Sequence, residues 1–364
     1  MKVAIVQDHL VQRGGSERVV LSMLKAFPGA AVYTSIYDKD KTFSALKDAN
    51  VISAGLEKKI VLRNNHRLAF PLMPRIFSKM KIDADIVLCS CSGWAHGIKT
   101  DASIISYYHT PAKWLYQREE YLGPGHPMTR AVLAACTPAL KRWDQRAARR
   151  VDIALANSLS VQRRVAEIYG IRAEVLHPPP GLEPSGPSVR PAGVPEVFDL
   201  TVARLVPHKN VEILAGAFRL MPTRTLVVVG DGPLRAELES SRAENMVFVG
   251  SVSDEYLRWL YANCSMVLCP SWEDYGLTAV EAASFGKPTL ALRWGGFLET
   301  IIEGVTGSFF DQPTGEDVAR AVVESSSNTF DPSILRRHAA SFSEESFIHR
   351  LREVVAERAI PSDV

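Results

Sequence analysis

A Pro/Gly-rich break near the middle of the chain constrains its fold more than any other feature. It runs from His177-Pro-Pro-Pro-Gly181 through Pro184, Gly186, Pro187, Pro191, Gly193 and Pro195. Proline fixes φ and removes a backbone donor, so this stretch can be neither helix nor central strand. On either side, short apolar runs alternate with helical patterns. Before the break the runs are Val3–Gln7, Ala31–Ser35, Ile86–Cys91, Ile104–Tyr108 and Ile153–Asn157, with helical spacing over Ser16–Phe27 and Met128–Arg150. After it come Leu200–Ala203, Leu226–Gly230, Val247–Gly250, Met266–Cys269 and Thr289–Leu292, separated by helical segments such as Val211–Leu220 and Leu234–Arg242. Apolar strands that alternate with helices belong to parallel sheets covered on both faces. The reading is therefore α/β, with two doubly wound Rossmann-like domains. The expected bounds are 1–180, a linker over 181–195, and 196–342, followed by a capped amphipathic helix over 343–358. Ligands of such sheets sit beyond the carboxyl ends of the strands, so a cleft between facing domains is the expected site.

Net charge narrows the partners. The overall +2 hides 26 Lys+Arg against 15 Asp+Glu in residues 1–180, and 16 against 25 in residues 181–364. Halves of +11 and −9 imply different partners for each half, or two lobes that attract one another. From Lys58 to Lys81 there are seven basic residues and no acid: Lys58, Lys59, Arg63, Arg67, Arg75, Lys79 and Lys81. They interleave with apolar residues, a mixture that suits peripheral contact with an anionic membrane. It also suits a solvated basic face. Aromatics are few in this segment and no nucleic-acid-binding motif occurs, so nucleic acid is not expected. No apolar run approaches the roughly 18 residues that span a bilayer. The five cysteines, Cys89, Cys91, Cys136, Cys264 and Cys269, form no CxxC pair, which favours a reducing, cytoplasmic setting without zinc.

Chemistry concentrates in Ser271-Trp-Glu-Asp-Tyr-Gly-Leu-Thr-Ala-Val-Glu281. A strand-like run and a Pro270-Ser271 turn lead to Glu273, a glycine, and a helical segment from Leu277 to Phe285 carrying Glu281 in its early turns. A helix start offers unpaired N–H groups and a positive dipole end to an anion. Two carboxylates beside it are poor phosphate ligands but good acceptors for vicinal sugar hydroxyls. Together they read as a seat for a sugar joined to a nucleotide diphosphate, although the spacing alone equally fits two surface glutamates. Arg204 and Lys209, at the end of the Leu200–Ala203 strand, could neutralise a diphosphate without a metal, or simply solvate a loop. Gly14 and Gly15 open the first helix, where backbone can approach phosphate closely. They do not make GxGxxG, which removes support for an NAD-dependent oxidoreductase. His109 stands just past a strand and before Pro111, placed to hydrogen-bond a sugar or to serve structure. Gly230-Asp-Gly-Pro233 reads as a turn, and Gly295-Gly296 as a helix start near a ligand or as a tight turn.

In this order these residues resemble the family 4 retaining glycosyltransferases of the GT-B fold, most closely bacterial mannosyltransferases of surface-polysaccharide assembly. The likeness runs through Ala4–Asp8 with Gly14–Arg18, Tyr108–Pro111, Arg204 with Lys209-Asn210, Val229–Pro233, Glu273–Leu277 through Glu281, and Gly295-Gly296. Ala203 stands where the family has glycine, and Asp274 where Gly or Pro is common. The resemblance implies that Gly14 and Gly15 approach the donor diphosphate and that His109 touches the transferred sugar. Arg204 and Lys209 would stabilise the departing nucleotide diphosphate. Glu273 would bind sugar hydroxyls, and Tyr275, Gly276 and Leu277 would offer N–H groups. Glu281 would hold the ribose diol while the loop near Val252 borders the base, and the final helix would cross back onto the first domain. No cofactor or metal is implied beyond the donor, GDP-mannose. The acceptor would be a saccharide, lipid-linked at the cytosolic face of a membrane. A UDP-sugar donor, a soluble acceptor, or a nucleotide-sugar-binding protein without turnover are the alternatives.

Overall fold

The computed structural model describes residues 1–58, 70, 72–117 and 127–359. They form two compact units, one of Met1–Pro178 with the segment from Glu344 onward, the other of Pro179–Ser343.

The first unit holds a seven-stranded sheet, parallel throughout: β1 Val3–Gln7, β2 Ala31–Thr34, β3 Val51–Ser53, β4 Ile86–Cys91, β5 Ser103–Tyr108, β6 Ile153–Ala156 and β7 Ala173–Val175. Its spatial order is β3-β2-β1-β4-β5-β6-β7, so the winding reverses between β1 and β4. Every residue of β4 is buried, as expected of a strand covered on both faces. One face packs Ile5, Leu88 and Tyr107 against the first helix, Gly15–Ala26, and against Phe347, Leu351, Val354 and Val355 of the final helix, Glu344–Ala359. Lys25 bonds Glu344 at 2.6 Å, and Arg350 and Arg358 grip Glu174 and Asp152.

The other face packs Val6, Val87 and Cys89 against Trp94, Trp114, Phe70, Met73 and Phe77. That placement changes the reading of the basic segment 58–81. Residues 59–69 and 71 lie outside the described residues. Among the rest, Phe70, Met73 and Phe77 are core side chains, while Arg75, Lys79 and Lys81 are exposed. These apolar residues face the sheet because a six-residue helix, Met73–Ser78, covers it and must bury one side.

The second unit has a six-stranded parallel sheet: β8 Asp199–Val202, β9 Leu226–Val229, β10 Met246–Gly250, β11 Val267–Cys269, β12 Thr289–Leu292 and β13 Gly307–Phe310. The order is β10-β9-β8-β11-β12-β13, and here the winding reverses between β8 and β11. Helix starts follow the sequence's capping signals. Ser253, Thr314 and Asp331 accept N–H bonds at the heads of Asp254–Asn263, Gly315–Ser326 and Pro332–Ala340.

The Pro/Gly-rich stretch is no loose tether. Leu182, Val194 and Phe198 are buried in the second unit's core. Arg258 donates to the carbonyls of Glu183 at 3.0 Å and Pro187 at 3.3 Å, and Arg190 lies over the Trp259 ring at 5.3 Å. Residues with no regular backbone pattern are thus strapped to the helix Asp254–Asn263 by their own carbonyls.

Candidate active site

In an open α/β sheet the reversal of winding leaves a crevice beyond the strand ends, because neighbouring connections leave toward opposite faces. Most of the residues singled out by sequence lie on connections or helix starts beside these two reversals, one in each unit, whereas Val252 follows the edge strand β10.

In the second unit, Arg204 and Lys209 follow β8, and Ser271 to Gly276 follow β11. The two loops are bonded to each other. Asn210, held at φ 51°, donates from Nδ2 to the Pro270 carbonyl at 3.0 Å, and Trp272 N–H reaches the His208 carbonyl at 3.2 Å. Lys209 Nζ bonds Glu273 Oε1, and Ser271 Oγ donates to the same oxygen at 3.2 Å. Lys209 and Glu273 are 16% and 25% exposed, so this cation and this acceptor meet in a sheltered recess that still reaches solvent. Arg204 is exposed on the same connection.

Glycines set the backbone here. Gly230 and Gly232 do more than turn the chain: a Cβ on Gly230 would stand 1.9 Å from the Ala203 carbonyl oxygen, and one on Gly232 would stand 2.3 Å from that of Leu205. They admit the backbone that carries Arg204. Gly276, at φ 82°, caps the helix Leu277–Ser284, and a Cβ there would meet the Phe297 ring at 2.6 Å. Gly296 packs directly on the same motif. Its N–H bonds the Glu273 carbonyl at 2.9 Å, and a Cβ would lie 2.2 Å from Tyr275 Cα. Gly295-Gly296 is therefore the buttress that fixes Glu273–Gly276. Tyr275 turns its ring into the cluster with Val280 and Phe342, leaving its backbone at the head of the helix.

Glu281, in the second turn of that helix, is only 9% exposed. Its Oε1 accepts the Gly181 N–H and its Oε2 the Tyr261 hydroxyl, both at 3.0 Å. Val252 follows β10 and is half-buried against the core of this unit, one residue before the cap Ser253. Neither Tyr261 nor Gly181 was foreseen as part of the site.

In the first unit, Gly14 and Gly15 sit at the head of the first helix after β1. A Cβ on Gly14 would meet the Glu17 carboxylate at 2.7 Å, whereas one on Gly15 would meet nothing within 4 Å. Asp8, at the same strand end, is buried and accepts the N–H groups of Ser92 at 2.8 Å, Trp94 at 3.1 Å and Ala95 at 2.6 Å. Burial raises its pKa to about 6 against the pull of those donors. It therefore ties the connection after β4 to β1. The far side of that connection is held by His96, whose Nε2 lies 2.9 Å from Asp144 Oδ1, the pair being wholly buried. Tyr116 donates to the other oxygen of Asp144 at 2.8 Å.

His109 ends β5. Its Nε2 shares a hydrogen with Ser90 Oγ at 2.8 Å, its carbonyl accepts Asn157 Nδ2 at 3.0 Å, and its ring meets Tyr107 edge-on at 5.1 Å. Burial lowers its pKa to about 4, so the imidazole is neutral near pH 7. A neutral ring suits hydrogen bonding to a hydroxyl better than standing as a cation. Among the described residues no cluster of three or more His, Cys, Asp or Glu is placed to hold a metal, and no helix is long and apolar enough to cross a membrane.

Comparison with known proteins gives these crevices a class. Residues 13–182 match the model of Glycosyltransferase Family 4, and residues 193–342 that of Glycosyl transferases group 1. The chain belongs to the family 4 glycosyltransferases, and its fold is of the GT-B type.

Among its relatives is the GDP-mannose-dependent alpha-(1-6)-phosphatidylinositol monomannoside mannosyltransferase of Mycolicibacterium smegmatis, 28% identical over 226 residues, 54% of this chain and 58% of that protein. The GDP-mannose-dependent alpha-mannosyltransferase of Corynebacterium glutamicum is 30% identical over 156 residues, 43% of this chain and 37% of the relative. The chain thus spans about half, or less, of the length of these curated relatives. Solved structures match along nearly their whole length. Anabaena HepE in complex with UDP and glucose gives a TM-score of 0.71 at 18% identity, covering 98% of this chain and 99% of that one. Sucrose-phosphate synthase from Thermosynechococcus elongatus gives 0.70 at 16%, with the same coverage. At such identities the likeness is one of fold.

Proposed function

We propose that this glycosyltransferase moves a hexose, mannose from GDP-mannose, to a saccharide acceptor that is lipid-linked, with retention at the anomeric carbon and without a metal. The observation that carries the reading is the crevice between β8 and β11. A lysine and a carboxylate meet there beside a helix start, and a second, doubly anchored carboxylate lies in the next turn. Arg204, Lys209 and the N–H groups of Tyr275, Gly276 and Leu277 receive the diphosphate. Glu273 takes sugar hydroxyls, Glu281 the ribose diol, and Val252 borders the base. Gly14 and Gly15 let the first helix approach the phosphates, while neutral His109 hydrogen-bonds the sugar.

In the transfer, the bond between the anomeric carbon and the phosphate oxygen breaks as the acceptor oxygen bonds that carbon from the same face. The acceptor's proton passes to an oxygen of the departing diphosphate, and the nucleoside diphosphate leaves with its charge met by Arg204 and Lys209. The exposed Arg75, Lys79 and Lys81 would each add about 1 kcal/mol of attraction to an anionic lipid surface holding the acceptor.

Thermal unfolding with GDP, UDP and ADP tests the donor. At a hundredfold excess over Kd the preferred diphosphate adds about 2.7 kcal/mol, a rise of roughly 5–10 °C for the unit that binds it. Mass spectrometry of products from GDP-mannose, UDP-glucose and UDP-GlcNAc with lipid-linked acceptors then identifies the transfer. The reading fails if no nucleotide stabilises the chain, or if GDP-mannose binds and no acceptor is ever glycosylated. A UDP-sugar donor is the second reading, favoured by the likeness to HepE, solved with UDP and glucose, and a rise with UDP alone selects it.

A further inference from the structure

Glu281 is held by two parts of the second unit that the family resemblance does not mention. Gly181, at the start of the unit, donates its N–H to Oε1, and Tyr261, near the end of the helix after β10, donates its hydroxyl to Oε2. These donors lie 100 and 20 positions away in sequence, so three separate segments meet at one carboxylate.

Tyr261 has 0% of its surface exposed, and its ring stacks on Phe285 with centroids 5.3 Å apart and planes 18° from parallel. A buried phenol costs free energy unless its hydroxyl is bonded, and the partner here is a carboxylate. Burial, and next the Glu281 charge, push the phenol's pKa well above its ordinary value, so the hydroxyl stays a donor throughout the working pH range. An ionised carboxylate accepts at about four lone-pair sites. A bond to each oxygen restrains the plane of the group.

We infer that Tyr261 and the Gly181 N–H are positioning groups, which orient Glu281 so that both its oxygens meet the vicinal hydroxyls of the donor's ribose together. The inference rests on the assignment of Glu281 to the ribose made above. Without the phenol, Glu281 can rotate about its last torsion and offer one oxygen at a time. The loss should then fall on recognition of the diol, and not on binding of the base or phosphates.

The test is titration of the intact chain with GDP and with its dideoxyribose counterpart, in parent, Tyr261→Phe, Gly181→Pro and Glu281→Ala proteins. The parent should prefer GDP, and Glu281→Ala should erase the preference. Tyr261→Phe keeps the ring and removes one charge-assisted bond, so the preference should fall roughly tenfold while the dideoxy Kd stays near the parent's. Gly181→Pro removes the other donor but also fixes φ, so its melting transition is read beside the titration, and in the folded variant the preference should fall through the other oxygen. It carries the test should Tyr261→Phe fail to fold.

If Glu281→Ala erases the preference while every folded anchor variant keeps it, the positioning role is wrong and the ribose assignment stands. An anchor variant that weakens GDP and the dideoxy analogue equally also overturns the inference, since that is a purely structural effect. If Glu281→Ala leaves the preference intact, the ribose assignment itself fails.

Discussion

Gly15 offers a separation of folding from function that can be worked out from the backbone. It is the first residue of the helix Gly15–Ala26, its φ is not left-handed, and a Cβ there would meet nothing within 4 Å. Nothing in the fold therefore requires glycine at this position. Glycine in a helix is less stable than alanine by about 0.5–1 kcal/mol, mostly because the unfolded chain has more freedom to lose. Gly15→Ala should raise the stability of the first unit by roughly that amount, about 1–4 °C in its melting transition. If the proposed function is right, the added methyl occupies the space into which the donor phosphates approach. Donor KM should then rise at least tenfold while the protein melts higher. Calorimetry paired with steady-state kinetics at varied donor reads both quantities on one preparation. Unchanged KM would refute the phosphate-cradle reasoning, and a lower melting temperature would refute the claim that the helix start tolerates a side chain.

Three further expectations follow from neighbouring sites. Gly276→Ala combines a left-handed φ of 82° with a contact 2.6 Å from the Phe297 ring. Strain of about 1–2 kcal/mol and overpacking of about 1–3 kcal/mol should together destabilise the second unit, seen as an earlier denaturant midpoint. Lys209→Ala should abolish donor turnover while leaving the circular dichroism spectrum and melting transition near those of the parent, and full activity in that variant would remove the site assignment. His109 titrates near 4 in the fold against an ordinary 6.5, so as pH falls through that window the unfolded chain binds its proton first and stability declines. Two and a half pKa units amount to about 3 kcal/mol. His109→Gln should flatten this acid-side loss in chemical unfolding between pH 6.5 and 4, whereas the raised pKa of Asp8, about 6, contributes in the opposite direction and remains in the variant.

The central strands were legible because both their faces are buried, which writes a continuous apolar run into the sequence. All ten strands read from apolar runs, the edge strand β10 among them, lie within a residue or two of the observed ones. The edge strands β3, β7 and β13 escaped notice: the first two have three residues each, Glu174 is exposed in β7, and β13 has only two large apolar residues, Phe309 and Phe310. Glu281 was legible as a residue type at a helix start, but its anchors were not, since no periodicity links it to Gly181 or Tyr261. Gly230 and Gly232 were read as turn formers, which their sequence neighbours justify. Their close approach to the Ala203 and Leu205 carbonyls depends on an adjacent strand that local sequence does not reveal.

The strap over 179–198 has a consequence for anyone recombining halves of these enzymes. A join at residue 193, where the second family model begins, would leave Gly181, Leu182 and Arg190 with a different parent from the Glu281, core and Trp259 they contact. The second unit is an insertion, and Phe347, Leu351 and Val354 beyond it complete the first unit's core. A chimera that respects both units exchanges residues 179–343 as a cassette, with one crossover after Pro178 and another before Glu344.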